Sequence, residues 1–219
     1  MALTRQQIRL RVVDNFGSPD RLPAWLSSRW MDDRITEGER YVVDMTECLQ
    51  GTCSMTATED TRTFSLQQDF LRVDRVEIGS NRELEVISRD YVAAVYGTDW
   101  RVATGQPMRA YVEDVRNIGL HPLPTSGNGT TTGSAIMCYG PIYARPMTAD
   151  SGAGGTTRVP TALQDAVVDY VCREVASRDA SDNEAMAKKV GYFQQQLEAE
   201  IGRYKHVRPD ILTIGVPGR

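Results

Sequence analysis

Gly105-Gln106-Pro107-Met108 opens the stretch that decides the fold of this chain. It runs through Tyr111 and Val112 to Ile118-Gly119-Leu120-His121-Pro122-Leu123-Pro124. A Gly/Thr-rich segment at 125–133 follows, then the apolar run Ala135-Ile136-Met137-Cys138-Tyr139-Gly140 and Pro141. Pro146, a second glycine-rich segment at 151–157 and Val159-Pro160 close it. Short β-type runs alternate with Gly and Pro punctuation up to Pro160. Beyond Pro160 apolar residues recur at helical spacing. A β-structured middle therefore hands over here to a helical end, and residues 125–133 read as the tip of a β-hairpin.

Upstream, residues 4–16 predict a helix. Thr4 is a suitable N-cap with Gln7 at the capping-box position, Ile8, Val12 and Phe16 form one stripe, and Gly17 sits at the C-cap. A second helix is expected over 32–49, with Ile35, Val42, Met45 and Leu49 as its stripe and Gly51 as its stop. Gly38 weakens its first half by about 1 kcal/mol relative to Ala. The period then changes. Strands are expected at 52–58, 61–66, 70–78 and 82–87, with Leu71, Val73 and Arg75 on one face of the third. Ser88 caps a short helix ending at Gly97, with Tyr91, Val92 and Val95 on one side. Residues 107–114, 115–120 and 134–139 complete the β part.

Downstream, residues 161–177 carry a wide apolar face of Ala162, Leu163, Ala166, Val167, Tyr170, Val171 and Val175. Asp182 or Asn183 caps a last helix with Met186, Val190, Phe193, Leu197, Ile201 and Tyr204 along one seam. The two helices should pack antiparallel. The fold class expected is α+β: a helical bundle from N- and C-terminal helices, an inserted antiparallel β domain and an extended C-terminal arm. The divisions are 1–51, 52–158, 159–205 and 206–219.

The chain has 219 residues, a net charge of −4 and a pI near 5.3, which argues against bulk attraction to nucleic acid or an anionic membrane. The charge is uneven. Residues 41–100 hold eleven Asp or Glu against five Arg, whereas residues 203–219 hold Arg203, Lys205, Arg208 and Arg219 against Asp210. Opposite signs at the two places suggest contact surfaces. No apolar run reaches transmembrane length, and the first residues lack a signal-peptide core, so the product is expected to stay in the cytosol where it is made. Cys48, Cys53, Cys138 and Cys172 form no C-x-x-C pair and are expected to be free thiols there.

No catalytic, cofactor or metal site emerges. His121 sits between Leu120 and Pro122 and reads as structural. There is no Gly-x-Ser-x-Gly elbow, no zinc spacing, and no Lys placed to make either glycine cluster a phosphate loop. Cys172 reads as a core thiol. Trp25, Trp30 and Trp100 read as core or interface rather than as a sugar or base platform, since no basic stripe accompanies them.

Three stretches resemble the head-to-tail connector (adaptor) proteins of tailed double-stranded DNA bacteriophages. One is Phe64-Ser65-Leu66-Gln67-Gln68-Asp69-Phe70 through Val76, with Gln67 where the family more often has Pro. Another is Gly105 to Tyr111 followed by Ile118 to Pro124 and a hairpin ending Tyr139-Gly140-Pro141. The third is Val159-Pro160 leading into a helix with Tyr170 and then a helix with a central Phe193. The long segment at 125–133 departs from the family's pattern. The resemblance implies a structural virion protein with no reaction and no cofactor. It implies a homo-oligomeric ring, usually dodecameric, below the portal protein, extending the DNA channel and docking a tail or neck protein. Genomic DNA would pass without specific binding and no membrane is involved. The location implied is the virion neck, after synthesis in the host bacterial cytoplasm.

On that reading the arm residues Arg203, Lys205, Arg208, Pro209, Ile211, Leu212 and Ile214 are the candidate portal contacts. Asn128, Thr130 and Thr131 are the candidate loop contacts. Two rivals remain: a tail or baseplate β domain that binds a host receptor, and a hydrolase using Asp and His121.

Overall fold

The structure is a computed structural model that describes residues 2–17, 25–67, 69–79, 82–114, 116–125, 133–143, 156–181 and 183–207. Among these the protein is α+β, with five α-helices and a mixed seven-stranded sheet. The chain divides into two compact units, one of Met1–Cys48 with Ala144–Arg219 and one of Leu49–Tyr143.

In the helical unit, α1 (Arg5–Phe16) starts as its sequence dictates. The Thr4 hydroxyl accepts the Gln7 N–H, and the Gln7 side chain accepts the Thr4 N–H. Ile8, Val12 and Phe16 are buried. α2 spans Ser28–Thr46, not 32–49. Ser27 is the true cap, its hydroxyl accepting the Trp30 N–H. Asp32, which imitates a cap in the sequence, lies inside the helix and binds Arg9 and Arg5 of α1. Glu47 ends α2 in the left-handed conformation, so Met45 is exposed, Leu49 is outside the helix, and Gly51 lies in a strand. The buried face is Met31, Ile35, Gly38, Glu39, Val42, Val43 and Thr46. Gly38 has a packing reason: a Cβ there would stand 3.0 Å from the Tyr170 ring of α4 (Gln164–Asp179).

A 3-10 turn, Thr161–Leu163, leads into α4, whose Ala166, Val167, Val171, Cys172 and Val175 are buried. Ala162 is exposed. α5 (Glu184–Val207) begins where the Asn183 side-chain oxygen accepts the Ala185 and Met186 N–H groups. It runs on to Val207, past the expected start of the arm at 206. Phe193, Leu197 and Ile201 are buried, and Phe193 meets Phe16 of α1 at 5.9 Å. α4 touches α1, α2 and α5.

The second unit holds β1 (Gln50–Thr56), β2 (Thr63–Ser65), β3 (Arg75–Ile78), β4 (Arg82–Ser88), α3 (Arg89–Tyr96), β5 (Arg109–Asp114), β6 (Asn117–His121) and β7 (Ala135–Pro141). The order across the sheet is β1-β7-β3-β4-β5-β6-β2. The sheet is not antiparallel throughout, because β4 and β5 are parallel. Parallel neighbours need a crossover, and α3 with the 3-10 turn Thr98–Arg101 supplies it. β6 and β7 do not form the expected hairpin either. β6 pairs with β5 and β2, while β7 pairs with β1 and β3, so three strands stand between them in the order. The strand expected over 70–78 shortens to β3; Phe70 makes only an isolated bridge to Ile142, and Phe70 and Val73 are both buried.

One face of the sheet carries the larger core, with Phe64, Val76, Ile78, Leu84, Ile118, Leu120, Ile136 and Cys138. The other face buries Tyr111 against Val92 and Trp100. The expected α3 face is corrected: Val92 is buried, but Tyr91 and Val95 are half exposed, since only Val92 points at that small cluster. Tyr111 lies across Gly119, directly opposite on β6, where an added Cβ would come within 2.1 Å of the ring.

Leu197 is fully buried, so Leu197→Ala should cost about 2–5 kcal/mol through lost transfer energy and a cavity. Chemical denaturation checks it: an unmoved midpoint would place the α5 seam outside the core.

Candidate docking surfaces

The sequence-predicted arm residues separate. Arg203 and Lys205 lie exposed in the last turns of α5, where cations suit the carbonyl end of a helix. Arg208, Pro209, Ile211, Leu212 and Ile214 lie outside the described residues, as do Asn128, Thr130 and Thr131 of the loop.

His121 is buried at the end of β6, with Tyr96 at 4.3 Å and Trp100 at 6.3 Å. Burial first, then the cations Arg62 and Arg109, hold its pKa below the usual imidazole value. It is a packed ring whose surroundings favour the neutral form. Trp100 belongs to the sheet unit and is buried. Trp25 and Trp30 belong to the helical unit and meet edge to face at 5.1 Å. There Arg178 covers Trp25, and the Trp25 indole N–H donates to Asp179. Cys172 is fully buried, and burial pushes its thiol up to about 12. Among the described residues no group of three His, Cys, Asp or Glu could hold a metal ion, and no helix is long and apolar enough to cross a membrane.

Two charged features stand out among the described residues. The sheet unit, Leu49–Tyr143, holds eleven Asp and Glu against eight Arg, so its acidic excess is smaller than residues 41–100 suggest. Much of it is locally matched on the surface by Arg72–Asp74, Arg89–Glu113, Arg109–Glu85 and Arg116–Asp69 pairs. Such exposed pairs add little stability but set the pattern of charge a partner meets.

The second feature is a groove of about 360 Å³ among α1, α4 and α5 of the helical unit. Arg11 and Asp14 line it from α1, Asp165 and Asp169 from α4, and Tyr192 and Glu200 from α5. Arg11 is bonded to Asp165. Burial, and then Asp165, pushes the Asp169 carboxyl up to about 6. Burial, then Asp169 and Asp165, pushes Glu200 up to about 7, against the pull of Arg203. Sequence reasoning did not single out these carboxylates. The signal was present: Asp165 and Asp169 stand four residues apart on one helix, an unfavourable like-charge spacing.

A family model describing the SU10 adaptor protein matches residues 4–216. The chain belongs to the SU10 adaptor protein family. It is thereby a structural adaptor of a bacteriophage and a component of the virion, in a family that is not one of enzymes. The family implies interaction with phage portal and tail proteins. No curated protein matches the chain.

The groove gives a pH dependence with a definite sign. Native Glu200 holds its proton to about pH 7, whereas an unfolded Glu releases it near pH ~4.3. The native state therefore binds more protons in that window, and the stability this proton gives is lost as pH rises through it. Glu200→Gln should match the parent below about pH 4 and exceed it in unfolding midpoint at about pH 8. A difference that does not change with pH would contradict the burial of this carboxyl.

Proposed function

We propose that this protein is a head-to-tail adaptor that assembles as a dodecameric ring under the portal, extends the DNA channel and docks the tail or neck. The observation that carries the reading is the adaptor-family match along residues 4–216. In this arrangement the helices of 1–51 and 159–205 form a bundle, 52–158 are its insert, and the arm beyond Val207 reaches the portal. The protein works in the virion neck after synthesis in the host cytoplasm, and it runs no reaction.

The physical chemistry supports the proposal. A closed ring needs two different faces on each subunit, related by a rotation that closes. DNA passes without sticking where the lining lacks a basic groove, since phosphate binding draws its free energy from counterions released by Lys and Arg. The sheet unit, with no Lys and an acidic excess, is the proposed lining. The exposed Arg203 and Lys205 begin a basic stretch that continues with Arg208. Ile211, Leu212 and Ile214 follow as apolar anchors for the portal.

Removal of residues 208–219 should leave a folded protein that no longer joins portal-bearing heads. Head attachment equal to that of the full chain would overturn the arm's role. The loop carries a separate prediction. Because β6 and β7 are not paired, a two-residue turn cannot replace 125–133 without breaking the sheet. Substituting Asn128, Thr130 and Thr131 together by Ala keeps its length. That variant should lower the yield of whole, tailed particles; normal yield would show that the loop makes no needed contact.

A further inference from the structure

β1 is the outermost strand on its side of the sheet. Among the described residues it is hydrogen-bonded to β7 and to no strand beyond. It carries neither charge nor proline, the usual devices that blunt an edge. Its pairing with β7 is what holds it in the sheet.

In the middle of that pairing Cys53 stands directly opposite Cys138. The Ala57 N–H donates to the Ser134 oxygen at 2.8 Å, and the Ile142 N–H donates to the Leu49 oxygen at 3.0 Å. With the register constant between these points, Cys53 and Cys138 fall in a hydrogen-bonded pair. Such a pair holds its Cα atoms about 5.5 Å apart with both side chains on one face. A cystine spans about 4.4–6.8 Å between Cα atoms and about 3.5–4.5 Å between Cβ atoms. Opposite Cβ atoms in a hydrogen-bonded pair stand about 5.5 Å apart, so closing the bond draws β1 and β7 together locally by about 1 Å, which the release of β1 from the edge permits. Both residues belong to the larger core, 4% and 0% exposed. The Gln67 N–H also donates to the Cys53 sulfur at 3.3 Å.

The pair is guarded while the sheet is closed. Burial, followed by the neighbouring Cys53, pushes the Cys138 thiol up to about 12. Reaction therefore needs β1 to open, and an edge strand held along one side opens locally at less cost than the whole unit unfolds. A reducing cytosol keeps a newly made chain in the dithiol state, whereas virion surfaces meet oxidising conditions.

We propose that Cys53 and Cys138 form a cross-strand disulfide after release into an oxidising medium, stapling the outermost strand β1 to β7. The Cys53 thiolate attacks a small disulfide, forming one mixed S–S bond and expelling one thiol. The Cys138 thiolate then attacks the Cys53 sulfur, and the second thiol leaves. Two protons and two electrons pass from the pair to the oxidant, which ends as two thiols. The cross-link closes a long loop in the unfolded chain and so raises the stability of the sheet unit.

The test exposes the reduced full-length protein to oxidised glutathione just below its unfolding temperature. It is then quenched in acid, alkylated and mapped by mass spectrometry. The expected product has lost two hydrogens, yields a linked Cys53–Cys138 peptide, and unfolds several degrees above the reduced form. Cys48→Ser should behave the same way. Cys53→Ser and Cys138→Ser should each lose both the linked peptide and the shift, and either variant suffices if the other does not fold. Virions purified without reductant should yield the same linked peptide. Four alkylatable thiols after prolonged oxidation, glutathione on Cys48 alone, or a thermal shift that persists in Cys53→Ser would each overturn the proposal.

Discussion

The Gln164 side chain is the point on which the helical unit depends. Its oxygen accepts the Leu3 N–H at 3.0 Å, and its amide donates to the Val159 oxygen at 3.1 Å. The Thr157 N–H donates to the Leu3 oxygen, and the Thr157 hydroxyl accepts the Val159 N–H. Thr157, Val159 and Gln164 are all buried. Buried backbone groups must be paired, and here a residue at the start of one helix supplies the partners that no strand or helix provides. The start of α1 and the segment where the chain returns from the sheet unit are thereby fixed to α4. Glu39 joins the same node from α2 through the Thr157 side chain; burial raises its pKa above the usual carboxylate value, while the bond to Thr157 and the fields of Arg5 and Arg158 lower it. Three distant parts of the sequence, around Leu3, Glu39 and residues 157–164, meet in one small polar cluster, and the apolar faces of α1, α2 and α4 pack around it.

The sheet unit solves a different problem. Its chain enters at Leu49 and leaves at Tyr143, and a first and a last strand that are neighbours bring those ends together: β1 lies beside β7 along their full length. The Ile142–Leu49 hydrogen bond continues this pairing to the ends. Among the described residues its strands pair only with one another, so the ladder of the sheet closes within the unit. Close approach then sets local choices. Gly140 allows the Arg72 carbonyl to come where a Cβ would stand at 2.2 Å, and Gly119 makes room for Tyr111. A loss of either glycine acts on strand packing rather than on turn geometry.

The helices were largely legible in the sequence, because caps and stripes are local. Thr4 with Gln7, Ser88 with Gly97, and the seam of Phe193, Leu197 and Ile201 are each contained in a few turns. α2 was misread at both ends because Asp32 has the chemistry of a cap but serves as a partner to arginines on α1. The strands were legible as runs but not as a sheet. The β3–β4 and β5–β6 hairpins and the α3 crossover are local, but the pairings β1–β7, β3–β7 and β2–β6 join strands dozens of residues apart. The same distance hid the Cys53–Cys138 register and the carboxylates of the groove, whose α1, α4 and α5 members are far apart in the chain. The proposed arm and loop contacts come from composition and resemblance, since most of them lie outside the described residues.

In the proposed role, many copies of this chain surround the path of DNA where head meets tail. Two-dimensional class averaging of intact particles, with the chain marked by a bound antibody fragment, tests it most directly. The expected result is label around a closed ring at the head–tail junction. Label in trimers at the tail tip or baseplate, with none at the junction, would contradict it and favour a receptor-binding role instead.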